Sequence, residues 1–334
     1  MNWTWDDKTL AALTGFLEQH GLADGPPRPT PIGDGHSNLT YLIRIKGGNA
    51  VLRRPPPPPI PKGANDVLRE AKVLTALRDA PVPTPEVHAV AQAGEVLDVP
   101  FYIMAHKPGH VITDRLPDAF TAADVPDLAF GLVDALAALH AVDWRAVGLG
   151  DYGRPENFNA RHLKRLEGLM SLAKSPPAYL TDMAKWLHDN IPEETGATIL
   201  HNDFRLGNVI WEPDSPPKLA AILDWELATL GDPLLDLGYM ICCYPEPGEA
   251  LNPTQELSTA FLQGSGPSRD DLVARYANAA GRDTSGLGWF GAMAAWKLAV
   301  LYDYQHRAGV DSYYEDATQA PRFIASAEAF AKGL

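Results

Sequence analysis

Cysteine is nearly absent from these 334 residues. Only Cys242 and Cys243 occur, side by side, and such a pair forms no framework for disulfides or zinc. A reduced compartment is the expectation. Positive charge is also scarce: 28 lysines and arginines against 42 aspartates and glutamates leave a formal net charge of −14. Nucleic-acid binding requires a basic face to neutralise phosphates, so no nucleic-acid partner is expected. Long apolar runs are missing too. No stretch approaches the ~20 residues that span a bilayer, so no membrane partner is expected. The first ten residues carry Trp3, Asp6 and Asp7 and lack the apolar centre of a secretory signal. These absences together predict a cytoplasmic protein. No internal repeat is visible, and the oligomeric state cannot be read from the chain.

What is present is ordinary for a globular chain, 46% hydrophobic and 21% charged residues, with length enough for one large domain or two moderate ones. Leu10, Leu13, Phe16 and Leu17 share one face and predict a helix from Asp6 to His20. Two β-rich runs, Leu39 to Ile45 and Ala50 to Arg54, flank Lys46-Gly47-Gly48-Asn49 and predict a hairpin. The prolines 55–59 read as a stiff loop leaving it. Ala64 to Asp79 is expected as a helix, with Val67, Leu68, Ala71, Leu74 and Leu77 as its buried stripe. A strand, Pro100 to Met104, precedes the break Lys107-Pro108-Gly109. Beyond it the pattern is mainly helical: Pro126 to His140, Asn159 to Leu172, Pro177 to Asn190, Arg269 to Ala280 and Trp289 to His306. A β-rich island, Thr198 to Trp211 and Lys218 to Leu223, interrupts these helices. The expected fold is α+β and two-lobed: a small β-rich lobe over 1–104 and a larger helical lobe over 105–334.

The densest chemical signal is Ile199-Leu200-His201-Asn202-Asp203-Phe204-Arg205-Leu206-Gly207-Asn208, followed downstream by Ala221-Ile222-Leu223-Asp224-Trp225-Glu226. Each half places a polar cluster at the end of an apolar strand. Phosphoryl transfer needs these residue types. A carboxylate must take or orient the proton of an attacking hydroxyl, which suits Asp203. An amide oxygen and a second carboxylate must hold Mg²⁺ over phosphates, which suits Asn208 and Asp224. The H-x-D-x-x-x-x-N spacing, then a strand ending in Asp, is that of a kinase catalytic loop and metal-binding segment. Arg205, two residues past the base, can stabilise charge on the transferring phosphate. His201 reads as scaffold, and Asp232 and Asp236 as carboxylates bracing the loop and capping the next helix.

On the stretch from His201 to Asn208 and on Leu223-Asp224-Trp225-Glu226 through Gly231-Asp232-Pro233 to Gly238, the chain resembles the aminoglycoside phosphotransferase-like family of the protein-kinase-like fold. Within it, the chain looks like the subgroup related to the kinase-like domain fused to acyl-CoA dehydrogenases. The likeness covers about Ile32 to Gly238. It implies an ATP- and Mg²⁺-dependent phosphotransferase acting on a hydroxyl of a small molecule. Two positions depart from the pattern. Asn202 stands where the family usually has Gly, and Asp224-Trp225-Glu226 replaces Asp-Phe-Gly, which argues against a switch of the protein-kinase kind.

The nucleotide site follows by position. Gly33-Asp34-Gly35-His36-Ser37-Asn38 precedes a strand, and the backbone amides of such a loop can cradle phosphates, with Gly33, Gly35, Ser37 and Asn38 as candidates. A Rossmann turn would lead into a helix instead, and a Walker A lysine is missing. Arg53 takes the place of the phosphate-binding lysine, with Arg54 as the alternative and Glu70 as the helix partner. Met104 and His106 mark the hinge expected at the adenine edge. Two rivals belong to other classes: a nucleotide-binding pseudoenzyme acting as an interaction module, and a metal-dependent phosphohydrolase. The first predicts a missing catalytic carboxylate, and none is missing. The second would not need the β-rich lobe or the Arg–Glu pair. For the acceptor, a hydroxyacyl-CoA is expected over an aminoglycoside or amino alcohol. The helix Trp289 to Arg307 offers only Asp303 to a polycation, beside Lys297, His306, Arg307 and several aromatics.

Overall fold

The computed structural model describes residues 5–33, 38–57, 65–173, 175–309 and 312–333. The chain divides into two compact units, Met1–Pro108 with Ala221–Glu226, and Gly109–Ala220 with Leu227–Leu334. The first is β-rich and the second helical. The division falls at Pro108/Gly109, and the first unit takes in a late segment, Ala221–Glu226, that the expected boundary after residue 104 assigns to the larger lobe.

In the first unit, α1 (Asp7–Gln19) starts where the Asp6 carboxylate accepts the Thr9 amide, a capping contact that satisfies an otherwise orphaned donor. Strands β1 (Thr30–Pro31), β2 (Leu39–Ile45), β3 (Gly48–Arg54), β4 (Val87–Ala91) and β5 (Phe101–Ala105) form one antiparallel sheet in the order β1-β2-β3-β5-β4. The β2–β3 hairpin closes with Ile45 opposite Gly48, and Gly47 turns the chain at φ +93°, a conformation that glycine adopts without a Cβ penalty. Side chains alternate across the sheet. Tyr41, Ile43, Ala50, Leu52, Phe101 and Ile103 form a core with Leu13, Phe16 and Leu17 of α1. Arg53 and Tyr102, paired in register, lie on the other face. Helix α2 (Val67–Ala76) packs against β4 and β5. Its buried stripe is Val67, Glu70, Ala71, Val73 and Leu74, so a carboxylate stands where a purely apolar seam was expected.

The second unit contains α3 (Val125–His140), α4 (Phe158–Met170), α5 (Ala178–Asp189), β6 (Thr198–Leu200), β7 (Val209–Trp211), β8 (Leu219–Ile222), β9 (Thr229–Gly231), α6 (Leu234–Cys243), α7 (Pro253–Glu256), α8 (Arg269–Ala280), α9 (Leu287–Ala308) and α10 (Gln319–Ala331). The last residues of β8 belong to the first unit. Strands β6 and β9 pair antiparallel, and β7 pairs with β8. Helix α9 packs against α4, α5, α6 and α10. Its crossing with α6 is close: a Cβ on Gly238 would lie 2.7 Å from the Phe290 carbonyl carbon, so only glycine fits there without a shift. Trp289 and Trp296 are buried, and their indole N–H groups donate to the Leu187 and Leu180 carbonyls at 2.9 Å. These aromatics, with buried Tyr302, are core, whereas Tyr304 is exposed. Cys242 and Cys243 are both free and buried. Among the described residues no helix is long and apolar enough to cross a membrane.

Candidate active site

In the first unit the polar residues gather around Glu70, which is 1% exposed. Arg53 places Nε 2.7 Å from Glu70 Oε2 and Nη2 2.7 Å from Asp224 Oδ1. Tyr102 donates its hydroxyl to Glu70 Oε2 at 2.9 Å, and Asn38 donates Nδ2 to Oε1 at 2.6 Å. Burial pushes the Glu70 carboxyl up to about 6, against the pull of Arg53. Burial also opposes the charge on Arg53, but Glu70, Asp224 and Glu226 outweigh it and hold the guanidinium above its ordinary value. Arg53 is thus the arginine that meets the helix glutamate. Arg54 is fully buried with Nε on the Pro55 carbonyl at 3.0 Å, because adjacent strand residues face opposite ways. Asp224 sits at φ +63°, a left-handed conformation that Asp tolerates better than most residues.

The remaining nucleotide-site candidates are less informative. Gly33 has φ +75°. Gly35 and Ser37 lie outside the described residues. The side chain of Asn38 is spent on Glu70 and on Asn65, whose Nδ2 donates to it at 3.2 Å. Met104 lies within β5 opposite Val51 and Val87, and His106 is half-buried just past the strand's end.

In the second unit Asp203 is 22% exposed and held at both oxygens. Asn208 donates Nδ2 to Oδ2 at 2.6 Å and to the Asp203 carbonyl at 2.8 Å, while Tyr239 donates its hydroxyl to Oδ1. Arg205 Nε lies 3.7 Å from Oδ1. The backbone on the N-terminal side is pinned from α6. Buried Asp236 accepts the His201 amide at 2.6 Å and the Asn202 amide at 2.7 Å. His140 Nε2 approaches Asp236 Oδ2 at 3.4 Å, and the Tyr276 hydroxyl meets His140 Nδ1 at 2.6 Å. Since the carboxylate only accepts, Nε2 carries the proton. Burial alone would raise the Asp236 carboxyl, yet His140 and the His201 amide keep it below the carboxylate range.

Asn202 has φ +66°, and its Nδ2 donates to the Leu227 carbonyl at 2.9 Å. The usual glycine is therefore replaced by the residue type that best tolerates the same backbone, with an added tie. His201 is fully buried, and its Nδ1 accepts the Asp203 amide at 3.2 Å, a scaffold contact. Asp232 accepts the Leu234 amide at 3.1 Å at the start of α6 and the Thr195 amide at 2.8 Å.

Each unit by itself offers an oxygen that suits a hard cation. Both amide protons of Asn208 go to Asp203, so its Oδ1 is the atom left to ligate. Asp224 has one oxygen on Arg53 and is 36% exposed. Magnesium takes few protein oxygens and completes its shell with phosphates and water.

Residues 28–290 match the model of the phosphotransferase enzyme family. The chain belongs to that family. This phosphotransferase is 34% identical over 298 residues to acyl-CoA dehydrogenase family member 11 of Gallus gallus, a match covering 86% of this chain and 37% of that protein. It is 31% identical over 234 residues to acyl-CoA dehydrogenase family member 10 of Mus musculus, covering 70% and 22%. The chain thus spans well under half the length of these curated relatives. A crystal structure from Ralstonia eutropha JMP134, whose assignment as an aminoglycoside phosphotransferase is itself provisional, superposes with a TM-score of 0.80 at 27% identity, covering 96% of this chain and 98% of that one. The aminoglycoside phosphotransferase APH(4)-Ia, in ternary complex with AMP-PNP and hygromycin B, shares the fold at a TM-score of 0.64 and 16% identity over 97% and 99%. Its two-lobed, protein-kinase-like α+β fold is that of the phosphotransferase enzyme family.

Two contacts of this phosphotransferase escaped the sequence. Tyr239 lies three residues after Asp236, on the same face of α6, and that spacing was the available signal. Tyr102 reaches Glu70 only because β5 pairs with β3 in a register that places it opposite Arg53, which no local pattern encodes.

Proposed function

We propose that this phosphotransferase moves the γ-phosphoryl group of ATP to a hydroxyl of a small molecule, with Mg²⁺ as its metal, in the cytoplasm. The observation that carries this is Asp203, a partly exposed carboxylate fixed by one donor on each oxygen in a loop braced by buried Asp236. Each carboxylate oxygen has a second lone pair, so Asp203 can still accept the proton of an attacking hydroxyl. Arg205 brings positive charge beside it for the transferring phosphate. Asn208 and Asp224 supply oxygen ligands. A magnesium ion held there would supply positive charge against the phosphates. Arg53 takes α/β-phosphates, and the backbone at Met104 and His106 meets the adenine.

For the acceptor we favour a hydroxyacyl-CoA thioester. Relatives named for acyl-CoA dehydrogenases support it. So does α9, whose one carboxylate, Asp303, is already paired with Arg307 at 2.8 Å, leaving little to desolvate a polycation. The test is an ATP-consumption screen over hydroxyacyl-CoA thioesters, amino alcohols, sugars and aminoglycosides, with phosphate on the product followed by mass spectrometry. ADP release should depend on the acceptor and be largest with a thioester. Full turnover without any acceptor would indicate a hydrolase. Phosphorylation of kanamycin-type compounds with no thioester turnover would overturn the acceptor alone. Asp203→Asn should lower kcat by at least ~10²-fold with ATP binding kept, and activity within a few-fold of the parent would remove Asp203 from the mechanism.

A further inference from the structure

The Asp203 side chain is tied both to its own loop and to a helix distant in sequence. Asn208, within the loop, holds Oδ2. Tyr239, on α6, holds Oδ1. With a donor on each oxygen, rotation about the Cβ–Cγ bond must break one contact or the other. Without the Tyr239 hydroxyl the carboxylate would pivot on Asn208.

Tyr239 is itself fixed. It is 4% exposed, and the ammonium of Lys297, from α9, stands 4.3 Å from its ring centroid, within the range of a cation–π contact. The same ammonium donates to the Asn202 carbonyl at 2.9 Å. That carbonyl belongs to a left-handed, half-buried residue, and the bond satisfies a backbone acceptor. Lys297 therefore grips both the backbone before Asp203 and the ring that reaches its carboxylate. Gly238 lets α6 and α9 approach closely enough for this. Burial, then the neighbouring charge of Asp203, pushes the Tyr239 hydroxyl well above the usual phenol value, so it remains a donor.

We propose that Tyr239, seated by Lys297, is a positioning residue for phosphoryl transfer: its hydroxyl fixes the orientation in which Asp203 takes the acceptor's proton. The proposal rests on Asp203 being the base. It predicts a loss in the chemical step with none in nucleotide binding. It also predicts that the loss vanishes once the carboxylate is gone, since there is then no charge to orient.

The test is a double-mutant cycle read by single-turnover ADP release from Mg·ATP with water as acceptor, beside calorimetric binding of Mg·ATP. Tyr239→Phe should slow the step by about 10- to 100-fold, the worth of one hydrogen bond to a charged group, with Kd changed less than about two-fold. On the Asp203→Asn background the same change should cost nothing further. Lys297→Met, which keeps the hydroxyl, should lose a smaller factor and show the same dependence on Asp203, and it serves as the second variant if Tyr239→Phe folds poorly. A slow Asp203→Asn enzyme together with an unimpaired Tyr239→Phe enzyme, or equal losses on both backgrounds, would overturn the positioning role. An Asp203→Asn enzyme at the parent's rate would instead remove the base itself.

Discussion

Asn202 permits a test in which the usual ranking of alanine and glycine is reversed. At an ordinary position glycine is the worse replacement, since it costs about 0.5–1 kcal/mol in chain entropy relative to alanine. At φ +66° the Cβ of alanine meets the following carbonyl, at a cost of about 1–2 kcal/mol. Either replacement also loses the Nδ2 bond to the Leu227 carbonyl, worth about 1 kcal/mol net. Asn202→Ala should therefore destabilise by about 2–3 kcal/mol. Asn202→Gly regains backbone freedom that offsets its entropy cost, so its loss should stay near about 1 kcal/mol. For a unit of this size the melting temperature should fall by about 2–4 °C per kcal/mol. Thermal and urea unfolding would rank the three proteins as Asn, then Gly, then Ala. The Lys297 bond to the Asn202 carbonyl is common to all three and cancels. An alanine variant as stable as the glycine variant would refute the claim that left-handed geometry selects this residue.

Gly238→Ala should destabilise the α6–α9 crossing by about 1–3 kcal/mol through overpacking, since the new methyl would sit 2.7 Å from Phe290 backbone. Because α6 carries Asp236 and Tyr239, kcat should fall with it, checked by melting and by ADP release. His162 gives a pH prediction. It is 8% exposed, and burial, with Lys297 and Arg165 nearby, lowers its imidazole to about 3. The unfolded chain binds the proton below the ordinary value of 6.5 while the fold does not, so stability is lost as pH falls through that value. The loss should reach about 2 kcal/mol by pH ~5. His162→Gln should remove that part of the slope in urea titrations. An unchanged slope would mean that His162 is protonated in the fold.

The candidate loop was legible because it is local: His201, Asp203 and Asn208 lie within one short segment, and the Asn208 contacts to Asp203 span only five residues. The helices were legible where apolar spacing was regular, as in α1, α3 and α8. Strand β4 was not, because Pro81, Pro83 and Pro85 mask its start and Val-His-Ala-Val-Ala has little β-propensity of its own. It exists because β5 pairs with it. Helix α10 likewise follows from packing on α9. Which of Arg53 and Arg54 meets Glu70 depends on the sheet's facing, which pairing sets. The aromatics of α9 have the spacing of a core, and Trp289, Trp296 and Tyr302 are buried as that spacing implies.

The segment Ala221–Glu226 gives the first unit a history in time. Asp224 and Arg53 are 171 residues apart, and Ile222 donates its amide to the Pro83 carbonyl. A ribosome adding about 5–20 residues per second needs about 10–30 s to cover that distance. For the later part of that interval, once Pro108 has been made, the β-rich unit still lacks its last segment and the second carboxylate. The two units therefore cannot mature strictly one after the other. A fragment ending at Pro108 would stop at the same unfinished stage.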